Sequence, residues 1–149
     1  MTLFKRIAML ALVAALAGCA VSGQKFSDAT PQGGAKTPAG PADPANGRIY
    51  FYRTMLLGAA VQPVVMLNGD VVGRATPNGY FFVDRKPGSY EVTTTTEVER
   101  KLTLTLDKGQ VRYVKLNLSM GFVVGHVYAE LMDDDVGRKE IADTRLVSN

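Results

Sequence analysis

Three groups of residues in this sequence could do chemistry: the only cysteine, Cys19, the only histidine, His126, and the run Asp133-Asp134-Asp135. An imidazole beside a thiol or hydroxyl would suit acyl transfer, and any such triad would have to use His126. The cysteine lies over a hundred residues away, and no Gly-x-Ser-x-Gly elbow occurs. His126 follows Gly125 at the head of an expected strand, which favours a structural role. Zinc sites draw on several His or Cys ligands, which this composition does not supply. Calcium loops alternate their oxygen ligands, whereas these three acids are consecutive and the later spacing fails. They read as a solvated turn, or as acidic residues favouring the start of a short helix whose other end carries Arg138 and Lys139, an arrangement that suits the helix dipole. No catalytic residue, metal site or cofactor follows from these groups, and the sequence reads as a non-enzyme.

The elements around Cys19 give it a different task. Lys5 and Arg6 precede an uninterrupted apolar run, Ile7 to Ala15. A charged start, a short apolar run and small residues at the exit form the signal-peptide pattern. The run predicts a helix, being rich in Ala, Leu and Met, yet falls short of the roughly 20 residues a membrane span needs. Leu16-Ala17-Gly18-Cys19 resembles the bacterial lipobox. The resemblance implies cleavage between Gly18 and Cys19, a diacylglyceryl group on the thiol and acylation of the freed amine. Burial contributes about 0.8 kcal/mol per methylene, so two or three acyl chains on one residue give a durable membrane anchor. Ala20 stands where inner-membrane lipoproteins of enteric bacteria carry Asp, which implies the periplasmic face of the outer membrane. The competing reading is an ordinary A-x-A site, Ala15-Leu16-Ala17, releasing a soluble chain that begins at Gly18.

Residues 1–18 are therefore a leader, and 19–47 read as a lipidated N-terminus and flexible linker. Pro31, Pro38, Pro41 and Pro44 alternate with Gly33, Gly34 and Gly40, and Phe26 is the one large apolar residue. Such a segment cannot bury enough surface to offset the entropy of ordering it. As a coil it would span on the order of 30 Å, giving the domain reach or simply spacing it from the membrane.

Residues 48–141 read as the folded domain, with a tail over 142–149. Arg48 to Arg53 is a β-rich run. Asn68-Gly69 between Val64–Leu67 and Val71-Val72 is a hairpin signal, since both residues tolerate positive φ. Pro63 belongs at a strand start or an edge. Further strands follow over Tyr80–Val83 and Ser89–Thr96. Lys101 to Leu106 alternates, pointing Leu102, Leu104 and Leu106 to a core. Val111–Leu118 and His126–Met132 complete the set, with Val127, Ala129 and Leu131 on one face. Seven or eight short strands with regular turn signals predict an all-β fold, an antiparallel immunoglobulin-like β-sandwich. The only helical candidate is near Asp133 to Ile141.

Arg48-Ile49-Tyr50-Phe51-Tyr52-Arg53, the Asn68-Gly69 hairpin, Gly79-Tyr80-Phe81 with Pro87-Gly88, and Ser119-Met120-Gly121-Phe122 resemble a proteobacterial lipoprotein family catalogued as a domain of unknown function. Val83 to Val92, a strand, Pro-Gly and a strand opening Ser-Tyr, is similar to PEGA-type and carboxypeptidase-regulatory-like sandwiches. These resemblances imply a fold and an envelope location, and carry no catalytic residues.

One stretch of the domain breaks the alternation: Met120, Gly121, Phe122, Val123, Val124 and Gly125. It is either an exposed apolar loop that contacts a partner, a ligand or the membrane, or a doubly buried strand crossing between sheets. The pairs Tyr50/Tyr52 and Phe81/Phe82 read as packing before they read as a sugar platform. The chain holds 17 basic and 14 acidic residues; without Lys5 and Arg6 the balance is 15 to 14. That balance lacks the basic footprint of a nucleic-acid binder. A lone cysteine excludes an intrachain disulfide. The expected partners are the membrane, through the anchor, and an envelope protein or peptidoglycan. A small apolar ligand is the alternative, and an envelope hydrolase a third reading.

Overall fold

The computed structural model describes residues 23–28, 40–120 and 125–147. Nine strands form two sheets: β1 (Gly47–Arg53), β2 (Val64–Leu67), β3 (Asp70–Arg74), β4 (Gly79–Arg85), β5 (Gly88–Thr94), β6 (Glu97–Leu106), β7 (Val111–Met120), β8 (Gly125–Met132) and β9 (Arg145–Leu146). One sheet has the order β8-β7-β1-β4-β9, the other β3-β2-β5-β6. The all-β sandwich is as expected, with one more strand than the upper count. Two pairings, β1 with β7 and β4 with β9, are parallel and the rest antiparallel.

Alternation explains the core. Ile49 and Phe51 of β1 point inward, onto Val65, Leu67, Phe81, Val92, Leu104, Leu106, Val114, Leu116 and Val127. Each such side chain stabilises the fold by about 1.5–3 kcal/mol relative to exposure. The two β1 residues between them, Tyr50 and Tyr52, point to the outer face of the five-stranded sheet. There they join Phe26, Tyr80, Tyr113 and Ile141 in a second buried cluster. That is why every residue of β1 is buried: its sheet is covered on both faces. The outer cover comes from helix α1 (Asp134–Ile141) and a 3-10 turn, Phe26–Asp28. Helix and sheet approach closely, since a Cβ on Gly137 would lie 2.4 Å from that of Tyr113.

The Asn68-Gly69 turn has φ of 52° and 88°, the positive values that a two-residue hairpin turn requires. Pro63 directly precedes β2, as expected.

Two expectations are corrected. The linker is not free of the domain: Phe26 is 8% exposed, edge-on to both Tyr50 and Tyr80 at 5.3 Å. Lys25 bridges Arg145, and main-chain bonds run from Phe26 N–H to the Thr144 carbonyl and from Leu146 N–H to that of Gln24. The two ring contacts and the added strand edge give this short segment the buried surface that its proline-rich context lacks. The domain boundary at 141 is also short, because residues of the expected tail form β9 against β4 and Thr144 is buried. Met120 lies opposite Gly125 in the β7–β8 register. The two strands pair within one sheet, and residues 121–124 between them lie outside the described residues.

Candidate functional site

The sandwich has two lateral seams where its sheets meet. At one, β8 lies over β6. The Thr94 hydroxyl donates to the Val127 carbonyl, Val127 N–H donates to the Thr96 hydroxyl at 2.9 Å, and Arg100 lies over the Tyr128 ring at 4.9 Å. His126 sits here too, its Nδ1 2.6 Å from the Thr96 carbonyl. One ring nitrogen is thus committed to the backbone, in keeping with the structural role.

At the other seam, β3 faces β4 and β9, and a groove of about 600 Å³ lies between them. Five valines line it, Val64, Val71, Val72, Val83 and Val147, together with Thr76, Gly73 and the two arginines Arg74 and Arg85. A bulge in the β2–β3 ladder at Val65/Met66 shapes this wall. It breaks the alternation of β3, so that Val72 and Gly73 are both buried while Val71 is 68% exposed. Bulges on edge strands commonly re-aim side chains in this way. A Cβ on Gly73 would lie 2.7 Å from the Phe81 ring, so glycine lets β3 approach β4 at the groove floor. Arg74 reaches only the Gln62 carbonyl, at 3.4 Å, and Arg85 the carbonyl of Asp84, at 3.0 Å. Neither has a carboxylate in ion-pair range among the described residues.

Two other arginines fix the borders of this seam. Arg53 is fully buried and points inward from the end of β1. Its guanidinium donates to four carbonyls: Val61 at 2.6 Å and Ala75 at 3.0 Å from Nη1, Leu57 at 2.9 Å and Gly58 at 3.1 Å from Nη2. Burial lowers its pKa. The bonds pin the loop between β1 and β2 and the end of β3 to the opposite sheet, and present Leu56 and Leu57 to solvent.

On the outer face Arg48 grips Asp84 through two bonds, 2.7 and 2.9 Å, and lies 4.0 Å over the Phe82 ring. The Arg48 bonds hold the Asp84 carboxyl below the usual range against the opposing effect of burial, helped by Ala42 N–H. Burial alone would lower the Arg48 pKa; its bonds to Asp84 and Tyr50 outweigh that and raise it. The roles of Arg48 and Arg53 were missed in the sequence, where both read simply as ends of a β-run.

Gly18 and Cys19 lie outside the described residues, as do Gly121, Phe122, Val123 and Val124. Of the suggested contact stretch, Met120 ends β7 and Gly125 begins β8. Asp133 occupies the N-cap position of α1, Asp134 and Asp135 its first turn, and Arg138 and Lys139 its last, so the acids stand where a helix dipole favours them. Among the described residues no cluster of three or more His, Cys, Asp or Glu could hold a metal. Among the described residues none of the sequence-selected groups lines the groove; the bulge and the edge pairing that make it are not short-range signals.

A family model described as Protein of unknown function (DUF2846) matches residues 43–128, more than half of the chain. The chain belongs to that family. The DUF2846 match spans β1 to β7 and the first half of β8, including Arg48, Arg53, Arg74 and Arg85. Phe26, α1 and β9 lie outside it. No curated protein and no solved structure matches the chain.

Proposed function

We propose that this chain is a lipid-anchored protein of the bacterial cell envelope, held at the periplasmic face of the outer membrane. Its β-sandwich serves as a non-enzymatic binding or structural module. The observation that carries this reading is Leu16-Ala17-Gly18-Cys19 at the end of the apolar run, behind Lys5 and Arg6. The non-enzymatic part is supported by the commitment of His126 Nδ1 to a backbone carbonyl and by the placing of the acidic run at a helix start. The expected partners are the membrane and an envelope protein or peptidoglycan.

The test is intact mass of the protein recovered from membranes, with metabolic incorporation of a clickable fatty acid. An N-terminal Cys19 carrying a diacylglyceryl group and an amide-linked acyl chain is expected, and Cys19→Ser should abolish labelling. An unmodified polypeptide beginning at Gly18, free in the periplasm, would overturn the reading.

A second reading, carriage or sensing of a small apolar ligand, is favoured by one observation: the valine-lined groove. Its volume falls in the range of small-ligand sites, about 300–1,000 Å³. That groove lies at the β3–β4 seam; of the Met120–Gly125 stretch where the sequence suggested a pocket, residues 121–124 lie outside the described residues.

A further inference from the structure

We infer that the groove between β3 and the β4–β9 edge binds an anionic phospholipid of the bilayer, its acyl chain against the valines and its phosphate paired by one of the two arginines, Arg74 or Arg85. The chemistry of the groove selects the ligand class. Five of the nine lining residues are valines, an apolar wall that suits an alkyl chain; the hydrogen-bonding side chains are those of Thr76 and the two arginines. Two guanidiniums at the same groove have no carboxylate partner among the described residues. Arginine pairs phosphate through charge-assisted, often bidentate bonds. An amphiphile with one anionic head satisfies both halves; a neutral apolar molecule leaves the arginines unused.

Position supplies the source, and this step rests on the anchor proposed above. The linker was expected to hold the domain on the order of 30 Å from the membrane. Gln24 and Lys25 instead pair with the β9 edge, and Val147 of the groove directly follows that edge. Only four residue steps separate Cys19 from Gly23, a reach of at most about 14 Å. A lipid-bearing Cys19 therefore brings the β9 edge, and the groove beside it, to the bilayer surface.

The test uses full-length, anchored protein in phosphatidylcholine vesicles doped with a phosphatidylglycerol whose acyl chain carries a photoactivatable group. Labelled peptides are mapped by mass spectrometry. Label should concentrate on the peptides containing Val71–Arg74 and Val83–Arg85. Arg74→Glu with Arg85→Glu should lower it about tenfold or more, Val71→Trp should block the trough, and Lys108→Glu, on the exposed turn between β6 and β7, should leave it unchanged. Label spread evenly over the surface, or equally strong with a phosphatidylcholine probe, would overturn the proposal. A parallel arm separates this failure from failure of the anchor. The full chain carrying Cys19→Ser is labelled with short-chain photoactivatable phosphatidylglycerol in solution. Groove-specific label there supports the site even where intact mass shows Cys19 unmodified; its absence counts against the site whatever the state of Cys19.

Discussion

The two seams of this sandwich are built on opposite principles. Where β8 lies over β6, threonine hydroxyls trade hydrogen bonds with the Val127 backbone and an arginine rests on a tyrosine. Every polar group named there has a near partner, and the sheets are sewn together. Where β3 faces β4 and β9, valines stand apart around a groove and two arginines make no ion pair among the described residues. Polar ties are confined to its borders: buried Arg53 at one end and the Arg48–Asp84 pair on the outer face of β4. A sandwich needs only one closed seam to fix its sheets. The other is then free to stay open, beside two guanidiniums whose described hydrogen bonds go to carbonyls.

The strongest way to break the contrast is to remove the pin of the open seam. Arg53→Met keeps the volume and apolar stem but leaves the four carbonyls of Val61, Ala75, Leu57 and Gly58 without their donor. Each buried carbonyl that loses its partner costs about 1–3 kcal/mol; the Gly58 carbonyl keeps the Val61 N–H, and water can reach others as the loop loosens. The net loss should be about 3 kcal/mol or more, read as a lower urea midpoint with an unchanged slope. Hydrogen exchange should rise over the loop 54–63 and β3 while β7 and β8 keep their protection. A loss under about 0.5 kcal/mol would mean the guanidinium is incidental to the seam.

The strands and the core were legible in the sequence, because period-two alternation and Asn-Gly turns are local signals. Leu102, Leu104 and Leu106 pointed to the core on that ground, and Leu104 and Leu106 are buried there. The groove was not legible, because its cause is a register shift in the β2–β3 ladder, which leaves no mark on composition. Val71-Val72 reads as an ordinary second arm of a hairpin; only pairing shows which valine faces out. Phe26 was misplaced for a related reason. Its neighbours are proline- and glycine-rich, so local composition argued for a loose linker. What holds it is long-range: two rings from β1 and β4, and a carbonyl from Thr144. A lone aromatic in an otherwise apolar-poor segment was the available signal. Arg53 carried none, since an arginine closing a β-run looks like the return to solvent.

On the closed seam, Thr94→Val tests whether the stitches hold the sheets or merely accompany them. The substitution preserves shape, removes the hydroxyl that donates to Val127, and leaves that carbonyl with only the Thr96 hydroxyl, at 3.5 Å. A loss of about 1–2 kcal/mol is expected, with faster exchange over β6 and the start of β8 and none over β3. The distribution matters more than the size: protection lost equally at both seams would show that the sandwich opens as one unit and that the contrast has no dynamic meaning.

The smallest effect expected, and the most selective, concerns acid. The tie on β4 is ionic: Arg48 holds the Asp84 carboxyl below its ordinary pKa, whereas no carboxylate takes part in the contacts described at the closed seam. A carboxyl whose folded pKa is depressed binds fewer protons in the native state than in the unfolded one. Its contribution is therefore complete above the ordinary carboxylate value of about 4 and disappears as pH falls through the lower, folded value. Asp84→Asn should cost about 1 kcal/mol at neutral pH, since the pair is only partly shielded from water. That gap between variant and parent should narrow steadily as pH drops below about 4. Urea midpoints across that range read it directly. A gap that stays constant into acid would mean the bonds to Arg48 and Ala42 matter for their geometry alone, and that charge does not distinguish the β4 border from the closed seam.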